Sequence, residues 1–199
     1  MRKIVIIIGF ILCNLSHELS AQNSYEGIYL SSGDFAHGKL SYVNNQRDKN
    51  YKINLHADFS TSTIEIIFGD STFTVNKKSI FGFRDKSGFC YRFYNNEIFK
   101  IINPAEEILL YSTFTSVGAP KNVHSETKYF FSKNLNSSIY SLTKSNVKDV
   151  FLNDVSFNKL LDLYFHSDSE LSATNSAETI TELNQVYKFS KQVKLTSNK

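Results

Sequence analysis

The sequence predicts an α+β fold: a mostly antiparallel curled sheet or small barrel followed by two to three C-terminal helices. Three observations predict it. From Tyr25 to about Thr115 apolar residues recur at short range, as in strands. After Leu142 the period lengthens to that of a helix. A hydrophobic share of 41% with 14% aromatics supplies apolar surface that a disordered chain lacks. Strands first and helices afterwards indicate helices packed on one face or end of the sheet.

The first segment reads as an address rather than as part of the fold. Arg2 and Lys3 form a basic start, Ile4 to Leu12 is an apolar run, and Leu19-Ser20-Ala21 places a small residue before Gln22. This is the layout of a secretory signal peptide cleaved near Ala21-Gln22. Nine apolar residues fall well short of the ~20 that span a bilayer. Export to the periplasm, cell surface or medium is therefore expected, with no transmembrane segment after signal removal. Lipid attachment through Cys13 is disfavoured because Leu12, not a small residue, precedes it. The mature chain keeps a single cysteine, Cys90, so no internal disulfide is possible. Cys90 lies in a strand pattern and reads as a small buried hydrophobe.

The strands follow in order. Glu26–Ser31 and Gly38–Val43 flank a Ser/Gly/Asp turn, and Tyr51, Ile53 and Leu55 alternate with polar neighbours. Thr63–Phe68 and Ser71–Val75 are joined by Gly69-Asp70, a turn pair. Ser79–Arg84 turns through Asp85–Gly88 into Phe89–Tyr94. With Asn95-Asn96 as a hairpin loop, Tyr94 faces Glu97, Phe93 faces Ile98 and Arg92 faces Phe99. Both faces of that hairpin are then apolar, so each needs a cover. Asn103-Pro104 ends the strand, and Ile108–Phe114 follows. Val117–Asn122 reads as a loop or linker, with one more hairpin formed by Lys128–Ser132 and Ser138–Leu142.

Phe157, Leu160, Leu161, Tyr164 and Phe165 follow helical spacing, with Ser156 as N-cap. Shorter helices are expected over Lys144–Leu152 and Ser176–Phe189. The organisation is a signal peptide over 1–21, one domain over 22–193 (β-rich 22–142, helical 143–193) and a frayed tail over 194–199.

Three blocks carry a resemblance: Ser32–Leu40, Ser79–Arg84 with Tyr91-Arg92-Phe93, and Tyr140–Lys148. In these the chain resembles small uncharacterised exported proteins of Bacteroidetes-type bacteria. The resemblance implies export and a β-rich body with a helical tail, and brings no catalytic residue with it.

The chemistry-bearing residues are few. A formal net charge of +3 over the whole chain offers no footprint for nucleic acid. His37, His56, His124 and His166 are widely separated and no metal-ligand spacing occurs, so neither a metal nor a cofactor is expected. The nearest acid–base constellation is Asp34 with His37 and His56 with Asp58, which would suit a small hydrolase if the four shared a rim. Arg84 and Arg92 sit in neighbouring strands and suit a bidentate clamp on a carboxylate or phosphate. The bland alternative is cross-strand pairing with Asp85 or stacking on Phe99. Alternating, aromatic-rich strands also raise a transmembrane barrel, against which stand the helical C-terminal pattern and polar tail. A rich core without a reactive cluster favours a non-catalytic binding or structural module of the cell envelope, with an envelope protein or glycan as partner. The alternatives are the small hydrolase and a surface-assembly component using exposed strand edges.

Overall fold

The computed structural model describes residues 25–44, 50–55, 61–117, 124–173 and 180–197. The fold is α+β, with the strands divided between two antiparallel sheets. The larger sheet takes β1 (Gly27–Tyr29), β5 (Gly82–Arg84), β6 (Cys90–Tyr94), β7 (Glu97–Ile101), β8 (Leu109–Val117), β9 (His124–Ser132) and β10 (Tyr140–Ser141), in that order. The smaller takes β2 (Lys52–Asn54), β3 (Thr63–Phe68) and β4 (Ser71–Asn76). The seven-stranded sheet is open among the described residues, so the barrel alternative is not the one adopted. The helices are α1 (Ser32–Ala36), α2 (Lys144–Val150), α3 (Val155–Tyr164) and α4 (Glu182–Ser197).

The Asn95-Asn96 turn has the expected register: Tyr94 opposes Glu97, Phe93 opposes Ile98 and Arg92 opposes Phe99. Both asparagines have positive φ, 51° and 67°, which their short polar side chains tolerate. The two apolar faces of this hairpin are covered differently. One packs under Phe35 of α1 and Ile139, with Phe81, Phe99, Ile101, Leu109 and Tyr111 between. On the other face, Ile28, Phe83 and Phe93 meet Tyr51, Ile64 and Ile66 of the smaller sheet. Farther along, Leu110 and Phe131 pack against Val147, Phe157, Leu161 and Leu183 of the C-terminal helices.

Five elements differ from expectation. The Ser/Gly/Asp segment forms α1, because Ser31 and Asp34 make a reciprocal capping box. Only Ser41 of the expected Gly38–Val43 strand pairs, through a bridge to Ile28. β9 begins at His124, four residues before the expected Lys128, and pairs with β8 along its whole length; beyond Val117 the expected Val117–Asn122 loop lies outside the described residues. The N-cap of α3 is Asp154 rather than Ser156, its carboxylate accepting from Phe157 N at 3.0 Å. Helix α4 begins at Glu182, part of the expected start lying outside the described residues, and it runs through Ser197 into the stretch expected to fray.

Side chains dock α4 onto the sheet. Asn184, fully buried, accepts from Ile108 N and donates to Ile108 O, both at 2.9 Å, so its amide pairs with the strand as a neighbouring strand would. Glu106 accepts from Thr181 N at 2.9 Å and from its hydroxyl at 2.6 Å, and Asn103 donates to Glu106 and accepts from Leu110 N.

Candidate functional site

Of the expected acid–base group only Asp34 and His37 lie among the described residues, and each is engaged within the turn of α1. Asp34 accepts from Ser31 N and Ser31 Oγ at 3.1 and 2.8 Å, which commits it to the cap of α1. His37 is exposed and its Nδ1 lies 2.7 Å from Gly33 O, a bond within the same turn. His56 and Asp58 lie outside the described residues. Among those described, no group of three or more His, Cys, Asp or Glu could hold a metal ion.

Nor do the arginines form a clamp. Arg92 is buried, 6% exposed, and donates to Tyr111 Oη at 3.0 Å, Ser132 Oγ at 3.4 Å and Ser137 O at 2.9 Å. Its guanidinium stands 5.5 Å from the rings of Phe81 and Tyr94 and 6.0 Å from that of Tyr111. No described carboxylate pairs with it; aromatic faces and neutral oxygens carry the charge instead. The rings it meets are thus not Phe99, the expected stacking partner. Arg84 is half-buried and opposes Cys90 across the strands, its Nε buried without a partner. Burial pushes the Cys90 thiol upward, partly offset by the Tyr29 hydroxyl 3.7 Å away and by Arg84.

A large concavity lies elsewhere. A cleft of about 1210 Å³ opens between the two sheets. Tyr51 and Ile53 line it from the smaller sheet, and Tyr91, Ile98, Lys100 and Ser112 from the larger. Phe83 and Tyr91 stack with centroids 4.6 Å apart, which makes a flat aromatic wall. Charge of both signs borders it: Lys52, Lys86, Lys100 and Lys128 against Glu26, Asp85 and Glu97.

At one end of the cleft the polar groups are strained electrostatically. Asp85 is fixed by its turn, Oδ1 accepting from Ser87 N and Phe89 N at 2.9 Å and Oδ2 from Tyr91 Oη at 3.1 Å. Burial, with Asp85 beside it, pushes the Tyr91 phenol up to about 12. Burial and then the Asp85 carboxylate raise Glu26, while Lys86 and Asn44 pull it down. Tyr51, 7% exposed, has a buried hydroxyl with no hydrogen-bond partner among the described residues, and its phenol is raised by burial and by Glu26. Buried polar atoms normally find partners, so an orphaned hydroxyl at a cleft wall marks incomplete satisfaction.

A second, smaller hollow of about 280 Å³ lies between α3 and α4, lined by Tyr164, Phe165, Val186 and Phe189. Leu152, Val155 and Leu163 are exposed on the same helical end of the molecule.

No family model, curated protein or solved structure matches this chain. The sequence reading missed the cleft because Glu26, Tyr51 and Asp85 belong to three separate strand neighbourhoods. Its one legible sign was the apolar alternation of Tyr51, Ile53 and Leu55, which marks a face but not what stands opposite it.

Proposed function

We propose that the chain is an exported, non-catalytic binding module of the cell envelope whose ligand is an envelope glycan held in the cleft between the two sheets. The observation that supports this reading is the cleft itself: large, open, walled by aromatic rings, and bordered by both signs of charge with little excess of either. Aromatic faces accept the C–H faces of sugars, while carboxylates, ammonium groups and hydroxyls meet ring hydroxyls. No described histidine or cysteine lines the cleft. Export rests on the basic start, apolar run and Ala21-Gln22 junction.

Titration calorimetry with soluble peptidoglycan fragments and surface polysaccharide fragments tests the binding. The expected result is saturable binding that Lys100→Ala and Glu97→Ala weaken without changing the unfolding midpoint. Absence of binding to every fragment, or binding indifferent to both variants, overturns the reading. The N-terminus of the protein recovered outside the cytosol should begin at Gln22.

A further inference from the structure

The smaller sheet ends on β4, Ser71-Thr-Phe-Thr-Val-Asn76, whose outer edge has no strand beside it among the described residues. Ser71 to Thr74 are exposed. Natural edge strands are blunted by lysine, proline, bulges or brevity. Here the chain has 18 lysines, yet none falls between positions 71 and 76, nor does any proline or acid. The other edge of the same sheet, β2, is three residues long and carries Lys52.

The phase of the hairpin decides which backbone groups are free. Lys77 N donates to Ser62 O at 2.8 Å, which makes 62 and 77 a hydrogen-bonded pair. Hydrogen-bonded and non-bonded pairs alternate along an antiparallel ladder. From the register, Val75 with Ile64 and Phe73 with Ile66 are therefore the bonded pairs. Thr72 and Thr74 consequently aim their N–H and C=O groups away from β3. Asn76 points the same way, but its carbonyl already accepts from Ser79 Oγ at 2.7 Å.

We propose that β4 is a self-association edge and that its partner is β4 of a second copy, antiparallel about a two-fold axis at Phe73. In that register Thr72 opposes Thr74 of the second copy and Thr74 opposes its Thr72, forming two hydrogen-bonded pairs from the free groups. Phe73 then faces its own counterpart in the intervening non-bonded pair, where side chains approach most closely. Phe73 shares a face with the fully buried Ile64 and Ile66, yet it is 38% exposed, its one ring contact being Tyr42 at 5.3 Å. The second Phe73 covers the ring's open side. No like charges meet, and the two three-stranded sheets become one of six.

Two double variants test this by sedimentation analysis of the purified protein over a wide concentration range. The wild type should shift from monomer to dimer with concentration. Thr72→Lys with Thr74→Lys places lysine opposite lysine twice and should weaken dimerisation about tenfold or more. Thr72→Lys with Thr74→Glu places lysine opposite glutamate twice and should dimerise at least as well as wild type. Within one chain the order is reversed, because Thr74 opposes Glu65: lysine at 74 suits the monomer and glutamate does not. A fold-stability effect therefore cannot imitate the expected result. A wild type that stays monomeric throughout, or variants that behave alike or in the opposite order, overturns the proposal.

Discussion

The same face of the large sheet is covered twice, once by the C-terminal helices and once by the smaller sheet, and the two covers are of different quality. Under the helices the backbone contacts to the sheet are closed: Asn184 bonds Ile108 in both directions, Glu106 accepts from Thr181, and Phe157, Leu161 and Leu183 have no exposed surface. Asn158 Oδ1 of α3 is the one buried side-chain atom there that lacks a partner among the described residues. Under the smaller sheet a cleft remains, with an orphaned Tyr51 hydroxyl and a Glu26 carboxyl raised by burial beside Asp85. Helices supply side-chain amides and caps that reach into a sheet edge, whereas a small sheet laid across a twisted one leaves a gap at its margin. Scaffold and site are thereby separated along one face.

The sharpest way to break this contrast is at the closed end. Asn184→Leu keeps the side chain's size but leaves Ile108 N unpaired in the core and removes the bond to Thr181 Oγ1, while Ile108 O keeps its bond from Asn103 at 2.9 Å. At ~1–3 kcal/mol for the orphaned N–H, with the lost Thr181 bond added, the loss should be about 3 kcal/mol. Urea unfolding measures it, and a loss below about 1 kcal/mol would show that the helical end is not sealed as described.

Hydroxyls give the next comparison. Tyr111 Oη accepts from Arg92 and lies 2.8 Å from Ser132 Oγ, inside a network that holds a buried guanidinium. Tyr51 Oη has no partner among the described residues. Tyr111→Phe should cost about 2 kcal/mol, and Tyr51→Phe should stay within about 0.5 kcal/mol of wild type. Equal costs in urea unfolding would mean that the Tyr51 hydroxyl is satisfied in solution and would remove one mark of the open end.

Much of the scaffold was legible and little of the cleft was. Asn95-Asn96 gave its hairpin because two residues with positive φ and their flanking apolar pattern fix register locally. Phe157 to Phe165 gave α3 because helical spacing is a property of ten consecutive residues. The capping box of α1 is also present in the sequence, as Ser31 with Asp34 three residues on, but a helix of five residues is too short to carry an apolar period that separates it from a turn. By contrast, Asn184 meets Ile108 across 76 positions, and Arg92 meets Ser137 across 45. Spacing says nothing about such pairs. The division into two sheets is likewise long-range, since alternation tells which residues share a face but not which strand lies beside it.

The smallest expected effect bears most directly on function. Glu26 holds its proton more readily in the folded protein than in the unfolded chain, first because it is buried and then because Asp85 is near. The stability this contributes is complete below the ordinary carboxyl value of 4.5 and is lost as pH rises through the raised folded value. At pH 7 the charged carboxylate is thus a burden on the fold, and Glu26→Gln should raise the melting temperature. Because the group is partly exposed the gain should be less than about 2 °C, and it should vanish near pH 4. A residue retained at a cost to stability is explained if the charge serves the ligand, so the same variant should bind envelope glycan less tightly while melting later. Later melting with undiminished glycan binding would detach Glu26 from the site and leave the lysine-bordered end of the cleft to carry recognition alone.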